Sequence, residues 1–279
     1  MSGRREVKHR KVISVGQLAI LKLLHKYRFG SIELLRVSLG LNVGPGLYKK
    51  LEILCDQDYV GKRYDSSYRI KGIPAAYHLL PKGYRVLQGL PEYQSIDDKL
   101  VKYSYRDKTT KQPFIGQILQ VYIAALELTR LYPSVKLFTK RELVGRKHFP
   151  SRLPDAFVSL KPEDNKKPYR YFLDVIPDGE PRYKIDKKIA DYFDFFDGGG
   201  WEATNSALPV MLLLCESVSF ERRVQRLVAR KLDSLGSDEP EYFTSTLKAL
   251  KNAGAGAMAI WSNVEDPEEP YDLEATQLS

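Results

Sequence analysis

The spacing of apolar residues in the first quarter of the chain predicts three helices. Val15–Tyr27 has apolar residues at helical intervals, and Ser31 is a typical capping residue in front of Ile32–Leu39. A glycine-rich break at 40–46 then separates that segment from Leu47–Gln57. This order predicts a helix-turn-helix in which the last helix is the recognition helix.

Two extended segments follow these helices. Tyr59–Arg63 and Ala75–Leu80 have the composition of β-strands, and the basic, aromatic segment Tyr64–Gly72 between them is predicted to be a loop that contacts phosphates. On the predicted recognition helix, the 3.6-residue period turns the leucines inward and the polar residues outward. The side chains predicted to bind DNA are Tyr48, Lys49, Lys50, Lys62, Arg63, Arg69 and Lys71.

The remainder of the chain mixes helical and extended patterns. Pro91–Pro113 is polar and poor in aliphatic residues, which predicts a linker or extended arm. Phe114–Tyr132 has a long helical period, and Glu221–Leu232 is an amphipathic basic helix. Ser206–Cys215 and Ala257–Trp261 are predicted strands. These patterns predict a mixed α/β unit in the second half of the chain.

A hairpin with two aspartates is predicted near the middle of the chain. Leu153–Leu160 and Tyr169–Ile176 are apolar segments of strand length, separated by a charged turn at 161–168. Antiparallel pairing would bring Asp155 near Asp174, and Glu142 precedes the hairpin closely enough to join them. Since hard divalent cations take oxygen ligands, the three carboxylates are a candidate Mg2+ or Mn2+ site.

The Pro154–Asp155 pair, Asp174 in the next strand and the basic helix after it resemble the PD-(D/E)xK nuclease superfamily. Their spacing is similar to the replication-relaxation family of mobile-element proteins and to MobC-type mobilisation relaxases. Ile73–Leu87 is similar to the amino-terminal winged helix of that family, so the resemblance covers most of residues 12–215. It implies an α+β or α/β protein with a winged helix-turn-helix domain, a restriction-endonuclease-like domain with a mixed central sheet, and DNA nicking or relaxation.

The resemblance implies a set of catalytic residues, with one departure. Asp155 and Asp174 would bind the metal, and Glu142 would either help to bind it or orient water. The departure is that Ile176 stands where the motif has a lysine. Lys188, with Lys187 in reserve, is the candidate to supply that charge from the helix at 183–196, stabilising the attacked phosphate. The alternatives are that both lysines only flank a core helix, or that the site is inactive.

The predicted domains are residues 1–90 (winged helix), 91–113 (linker), 114–262 (nuclease-like) and 263–279 (disordered acidic tail). The net charge is +9, and it is unevenly distributed. Up to Leu90 there are 17 basic and six acidic residues, whereas no lysine or arginine follows Ser262. A first third of the chain with this excess of positive charge favours a polyanionic partner.

Several classes of protein are disfavoured. The four histidines are scattered with no H-x-H pair, which disfavours a histidine-dependent tyrosine relaxase. No phosphate-binding P-loop is present, which disfavours a nucleotide-driven motor. Cys55 and Cys215 have no metal-ligand spacing, which indicates free thiols in a reducing, cytoplasmic setting. No apolar run suggests a membrane span of about 20 residues.

The leading hypothesis is therefore a DNA-binding, metal-dependent nicking or relaxation protein of a plasmid or other mobile element. It would act on double-stranded DNA at an origin, in replication initiation or conjugative mobilisation. One alternative is a non-catalytic DNA-binding accessory or repressor with a degenerate nuclease fold, and another is an adaptor for replication or transfer proteins. The sequence leaves the oligomeric state open, with a dimer among the options.

Overall fold

The structure is a computed structural model that describes residues 12–161, 167–237, 239–254 and 258–273, except for the side chain of Arg69. The chain divides into two compact units, Met1–Leu119 and Gln120–Ser279, hereafter unit 1 and unit 2. The boundary lies within one long helix, Gln112–Leu131.

Unit 1 consists of short helices around a three-stranded antiparallel sheet of order β1-β3-β2. Its elements are α1 (Val15–Tyr27), β1 (Gly30–Ser31), α2 (Ile32–Ser38), α3 (Pro45–Asp56), β2 (Val60–Arg63), α4 (Ser66–Ile70), β3 (Ala76–Leu79), α5 (Pro81–Gln88), α6 (Asp98–Tyr103) and the start of α7 (Gln112–Leu131). The three predicted helices and two predicted strands are confirmed, with ends shifted by at most two residues.

Local capping explains where these helices begin. Ser14 and Gln17 form a reciprocal capping box at α1, and the Ser31 side chain accepts a hydrogen bond from Leu34 N at α2.

The face of α3 that points into the core is the face that the 3.6-residue period predicts. The residues of that face are Leu47, Leu51 and Leu54, all buried in the core of unit 1.

Two predictions for unit 1 are wrong. The segment Tyr64–Gly72 is not a simple loop, because it contains the short helix α4. The predicted linker 91–113 is folded: it contains two 3-10 turns and α6, and Ile96 and Val101 belong to the core of unit 1. Buried Asp107 in the same segment pairs with the Arg28 guanidinium at 2.7 Å.

Gly83 on α5 packs directly against the backbone of Tyr59, the residue before β2. A Cβ atom added at this position would lie 2.4 Å from the carbonyl oxygen of Tyr59. We expect Gly83→Ala to destabilise unit 1 by about 2 kcal/mol, because backbone must move to relieve the overlap. The matched control is Gly116→Ala on α7, where an added Cβ meets no atom within 4 Å.

Thermal unfolding followed by circular dichroism distinguishes the two glycine variants. Gly116→Ala should be neutral or stabilising by up to about 1 kcal/mol, since alanine is the better helix former. Equal unfolding temperatures for the two variants would contradict the packing of α5 against Tyr59.

Unit 2 is a mixed α/β unit built on a seven-stranded mixed sheet of order β10-β9-β8-β7-β6-β5-β4. After α7 its elements are β4 (Lys136–Thr139), α8 (Lys140–Leu143), β5 (Ala156–Leu160), β6 (Tyr169–Ile176), α9 (Arg182–Asp197), β7 (Val210–Cys215), α10 (Val218–Leu235), β8 (Tyr242–Thr246), α11 (Leu247–Asn252), β9 (Trp261–Asn263) and β10 (Pro270–Tyr271). The pairs β6–β7 and β7–β8 are parallel, and the other pairs are antiparallel.

Helices α9 and α10 make the crossovers of the parallel strands and pack over one face of the sheet. Their buried residues form a core with alternate residues of β6 and β7, including Phe172, Ile176, Met211 and Leu213. Because side chains alternate along a strand, Asp174 points to this same covered face. It is fully buried there.

The predicted elements of unit 2 are largely present. The hairpin strands, α9 and α10 are confirmed, whereas the last predicted strand begins at Trp261, and residues 255–257 lie outside the described residues. The predicted disordered tail is wrong up to residue 273. Residues 270–271 form β10 and Leu273 is fully buried; residues 274–279 lie outside the described residues.

Helix α7 is the one helix of the described residues that is long and apolar enough to cross a membrane. By length and composition alone this is weak evidence, since core helices meet the same criterion. The helix contributes fully buried Ile115, Tyr122 and Leu128. Cys55 and Cys215 are both free thiols, as the sequence indicates.

Candidate functional site

The strand register of the β5–β6 hairpin places Asp155 beside Asp174. Ala156 pairs with Leu173, so Asp155, immediately before β5, lies opposite Asp174. The backbone N–H of Asp155 donates to Asp174 Oδ1 at 3.0 Å, and Val175 N–H donates to Asp155 Oδ2 at 3.1 Å. The predicted juxtaposition of the two aspartates is therefore present in the structure.

Helix α9 brings a lysine and a tyrosine to the same carboxylate. Lys188 Nζ lies 2.6 Å from Asp174 Oδ1, and the Tyr192 hydroxyl donates to Asp174 Oδ2 at 2.8 Å. The two side chains are four residues apart and so lie on one face of the helix. Asp174 thus receives three donors while excluded from solvent. We define the aspartate pair, Lys188 and Tyr192 as the carboxylate site.

The groups of this site perturb one another. Burial raises the pKa of Asp155; attraction by Lys188 opposes this rise, and repulsion by Asp174 adds to it. Burial acts to lower the pKa of Lys188, but the attraction of Asp174 and Asp155 outweighs it, so the net pKa is raised. The net raised pKa favours the ammonium form of Lys188. Burial, followed by Asp174, raises the pKa of Tyr192 well above its ordinary value, which keeps its hydroxyl a hydrogen-bond donor.

Other polar groups surround the carboxylate site. Lys140 N–H donates to the carbonyl of Asp155 at 3.0 Å, and its side-chain charge acts to lower the pKa of Asp155. Arg152 pairs with Asp191 of α9 at 3.1 Å. The buried hydroxyl of Tyr242 has no hydrogen-bond partner among the described residues. The sequence does not single out Lys140 or Tyr242.

Glu142 does not join the aspartates. Its Oε2 accepts from Thr139 N at 2.8 Å and lies 3.1 Å from Thr139 Oγ1, as part of a capping box at α8. Within the described residues, no group of three or more His, Cys, Asp or Glu could hold a metal ion. The predicted convergence of three carboxylates is therefore wrong. Lys187 is exposed on α9, and Lys188 is the lysine that contacts the aspartates.

Of the three predicted metal ligands, the two aspartates remain. Both oxygens of Asp174 are engaged by Lys188 and Tyr192, so a cation bound there would displace at least one of these partners. Mg2+ prefers oxygen ligands and is commonly bound through one or two carboxylates, with water and substrate phosphate completing its coordination. Asp155 and Asp174 are adjacent, and Asp155 is partly exposed. These two side chains are thus the candidates for holding Mg2+ or Mn2+.

The predicted DNA contacts of α3 are mostly at the surface. Tyr48 and Lys49 are exposed on α3, and Lys50 is half-buried. The Tyr48 hydroxyl is hydrogen-bonded to Glu52, which raises the pKa of that tyrosine. Of the two lysines, Lys49 is thus the one at the surface, where a polyanion could reach it.

The predicted DNA-binding residues of the β2–β3 hairpin divide into exposed side chains and one that bonds within unit 1. Lys62 and Lys71 are exposed, and Lys62 Nζ lies 5.4 Å from the Tyr64 ring centroid. Arg63 has an internal role instead, since its guanidinium donates to the carbonyl oxygens of Asp107 and Lys108. The side chain of Arg69 lies outside the described residues.

No protein-family model and no curated protein sequence matches this chain. Among solved structures, the chain is similar to the structure of restriction endonuclease FokI, with a TM-score of 0.30 and 11% sequence identity. The match covers 88% of this chain but only 45% of that one. So low a similarity establishes neither a shared fold nor a shared activity.

Proposed function

We propose that this protein binds double-stranded DNA and cleaves one strand in a Mg2+- or Mn2+-dependent reaction. The observation that carries the proposal is the convergence of Asp155, immediately before β5, with Asp174 of β6 and Lys188 of α9. Two carboxylates for a cation, with an ammonium group beside them, are the components needed to cleave a phosphodiester. The nuclease-like nature of unit 2 is part of the proposal.

Each residue of the carboxylate site has a distinct role in this proposal. Asp155 and Asp174 would hold the cation, which when bound polarises the phosphate. Lys188 would stabilise the negative charge that develops on the attacked phosphate. Tyr192 is a positioning residue, because its hydrogen bond fixes the orientation of the Asp174 carboxylate. Glu142 is left out of the proposed catalytic set, because its carboxylate is engaged in helix capping.

Unit 1 would supply the DNA contacts. We interpret α1–α3 with the β2–β3 hairpin as a winged helix in which α3 is the recognition helix. The exposed side chains Tyr48 and Lys49 would face the groove, and Lys62 and Lys71 of the hairpin segment would contact backbone phosphates. The 17 basic residues up to Leu90, against six acidic ones, support a DNA partner.

The biological setting is a further part of the proposal. Nicking at an origin of a plasmid or other mobile element rests only on the resemblance of motifs within residues 12–215 to replication-relaxation and mobilisation proteins, since no family model matches the chain. The protein would then act in the cytoplasm during replication initiation or conjugative mobilisation, alongside other replication or transfer proteins.

Incubation with supercoiled plasmid DNA tests the proposed chemistry. The purified protein is mixed with DNA in the presence of Mg2+, Mn2+ or EDTA, and the topological forms are separated on a gel. Open circles that form with metal and not with EDTA support a nicking enzyme. DNA that is bound but stays supercoiled under all three conditions would contradict catalysis.

A non-catalytic DNA-binding accessory or repressor is the second candidate. One observation favours it: Lys188 Nζ already lies 2.6 Å from Asp174 Oδ1, and Tyr192 occupies Oδ2. The carboxylate site is in this case a buried, hydrogen-bonded ion pair that stabilises unit 2. Ile176 in place of the motif lysine is consistent with this alternative.

A further inference from the structure

Helix α10 presents a row of arginines to solvent. Arg222, Arg223, Arg226 and Arg230 are all exposed, and at 3.6 residues per turn they lie within an arc of about 100°. We call these four residues the arginine stripe. From Arg222 to Arg230 it extends about 12 Å along the helix, at about 1.5 Å per residue.

The opposite face of α10 is committed to the core of unit 2. Its residues there are Phe220, Val224, Leu227, Val228 and Leu232, which are buried together with side chains of α9 and the sheet. The helix is therefore held in place. It has no free apolar face with which to enter a lipid surface, unlike an interfacial amphipathic helix.

The arginine stripe carries an excess of positive charge within the described part of the chain. Arg222 interacts electrostatically with Glu221, and exposed Asp233 lies three residues after Arg230 on the same face. None of the four guanidinium groups of the stripe forms a salt bridge within the described residues, and the Arg226 side chain bonds only the carbonyl oxygen of Arg222, at 3.2 Å. Glu221 is half-buried and hydrogen-bonded to Thr244 of the sheet. Like charges spaced four residues apart repel one another on a helix, and a bound anion would relieve this repulsion.

We propose that the arginine stripe binds the phosphate backbone of double-stranded DNA and so holds the duplex on unit 2. This inference rests on the proposed DNA-directed function. Arginine suits the role because its planar guanidinium pairs with phosphate through two hydrogen bonds. The length of the stripe matches the major-groove width of about 12 Å, so its ends are spaced to reach phosphates on both sides of the groove.

The surface of α10 favours duplex DNA over single strands. Proteins that bind single strands stack bases on exposed aromatic rings. The one aromatic residue of α10 is Phe220, and it is buried. The helix thus offers side chains that contact the phosphate backbone of DNA and no exposed aromatic ring on which a base could stack.

The test compares DNA binding of full-length proteins in which four charges have been removed at different places. In the stripe variant, Arg222, Arg223, Arg226 and Arg230 are replaced by Gln. The control variant replaces four exposed lysines of unit 2 by Gln, namely Lys147, Lys161, Lys248 and Lys251. Affinity for a fluorescent duplex is measured by anisotropy over a series of NaCl concentrations.

We expect the stripe variant to bind at least about tenfold more weakly at physiological salt, and its salt dependence to become shallower. A plot of log K against log[NaCl] has a negative slope. Each lost phosphate contact reduces the magnitude of that slope by about 0.9, so four lost contacts reduce it by about 3.6. The control variant should keep a slope close to that of the wild type. A third protein with the four arginines changed to Lys should retain most of the slope, which shows that lost charge, not misfolding, causes the effect.

Equal losses of DNA affinity in the stripe and control variants would overturn the inference, and so would no loss in the stripe variant. A vesicle-binding measurement is a further check. If the stripe substitutions weaken binding to phosphatidylserine vesicles but not binding to DNA, the inference is overturned as well. Its failure is distinguishable from failure of the proposed chemistry. Metal-dependent nicking with an unaltered salt slope in the stripe variant would overturn the inference alone. A normal stripe effect without nicking would leave the inference standing and overturn the cleavage proposal.

Discussion

Asp155→Asn is expected to abolish metal-dependent nicking while leaving DNA affinity nearly unchanged. The substitution removes one of two carboxylates that would hold the cation but keeps the size of the side chain. We expect the rate of nicking to fall by about 10²–10³-fold or more, the scale seen when one strongly stabilising electrostatic group is lost. DNA binding should persist, because the predicted contacts are basic side chains of other elements.

Two control variants sharpen this prediction. Asp194→Asn changes an exposed aspartate of α9 and should leave nicking unaltered. Glu142→Gln separates the structure from the sequence-based expectation, because the structure assigns Glu142 to the capping of α8. It should retain nicking within a few fold. Retained cleavage in Asp155→Asn, or a loss in Glu142→Gln as large as in Asp155→Asn, would contradict the proposed site.

Lys188→Met is expected to destabilise unit 2 by about 3–5 kcal/mol, the cost of leaving one partner of a buried ion pair uncompensated. Asp174 is fully buried and Lys188 is only 18% exposed, so solvent cannot replace the lost ammonium group. Both tryptophans of the chain, Trp201 and Trp261, lie in unit 2. Tryptophan fluorescence during denaturant unfolding therefore measures the stability of this unit.

Lys187→Met is the matched control for that experiment. Lys187 is the exposed neighbour of Lys188, and its substitution should change stability by no more than about 0.5 kcal/mol. The double variant Lys188→Met with Asp174→Asn should be less destabilised than the sum of the single changes, since no unpaired charge remains. Equal effects of the two lysine substitutions would contradict the Lys188–Asp174 pair.

The aspartate pair was predictable because it depends on local rules. Two apolar segments with a charged turn between them define an antiparallel hairpin, and its register places Asp155 opposite Asp174. Lys188 was predictable as a candidate, but only the three-dimensional packing of α9 selects it over Lys187. The role of Tyr192 was harder to find, because its position on the apolar face of α9 indicates packing as readily as a hydrogen bond to Asp174.

Glu142 shows a local signal that competes with the proposed chemistry. Thr139 and Glu142 have the spacing of a capping box, which satisfies backbone groups at a helix start. A carboxylate engaged in this way is not aimed at a cation. This pattern is visible in the sequence, and giving it weight would have removed Glu142 from the predicted metal ligands.

The predicted linker is wrong, and strand β8 has no counterpart among the predicted elements, for a different reason. Both segments bury polar residues whose partners are remote in sequence. Asp107 pairs with Arg28, and in β8 the Ser245 hydroxyl donates to the carbonyl oxygen of Ile260 at 2.7 Å. Composition indicates exposure for such residues, whereas hydrogen bonds and ion pairs formed in the fold make their burial possible.

The ordered end of the chain has a practical consequence for the boundaries of unit 2. The Tyr171 hydroxyl donates to the carbonyl oxygen of Leu273, and the Tyr132 hydroxyl donates to Asp272 at 3.0 Å. A protein shortened at residue 262, where the acidic composition begins, would lose both acceptors and the edge strand β10. Each buried donor left without a partner costs about 1–3 kcal/mol. The acidic segment up to residue 273 is therefore part of the folding unit, and truncation or fusion of the protein should begin beyond it.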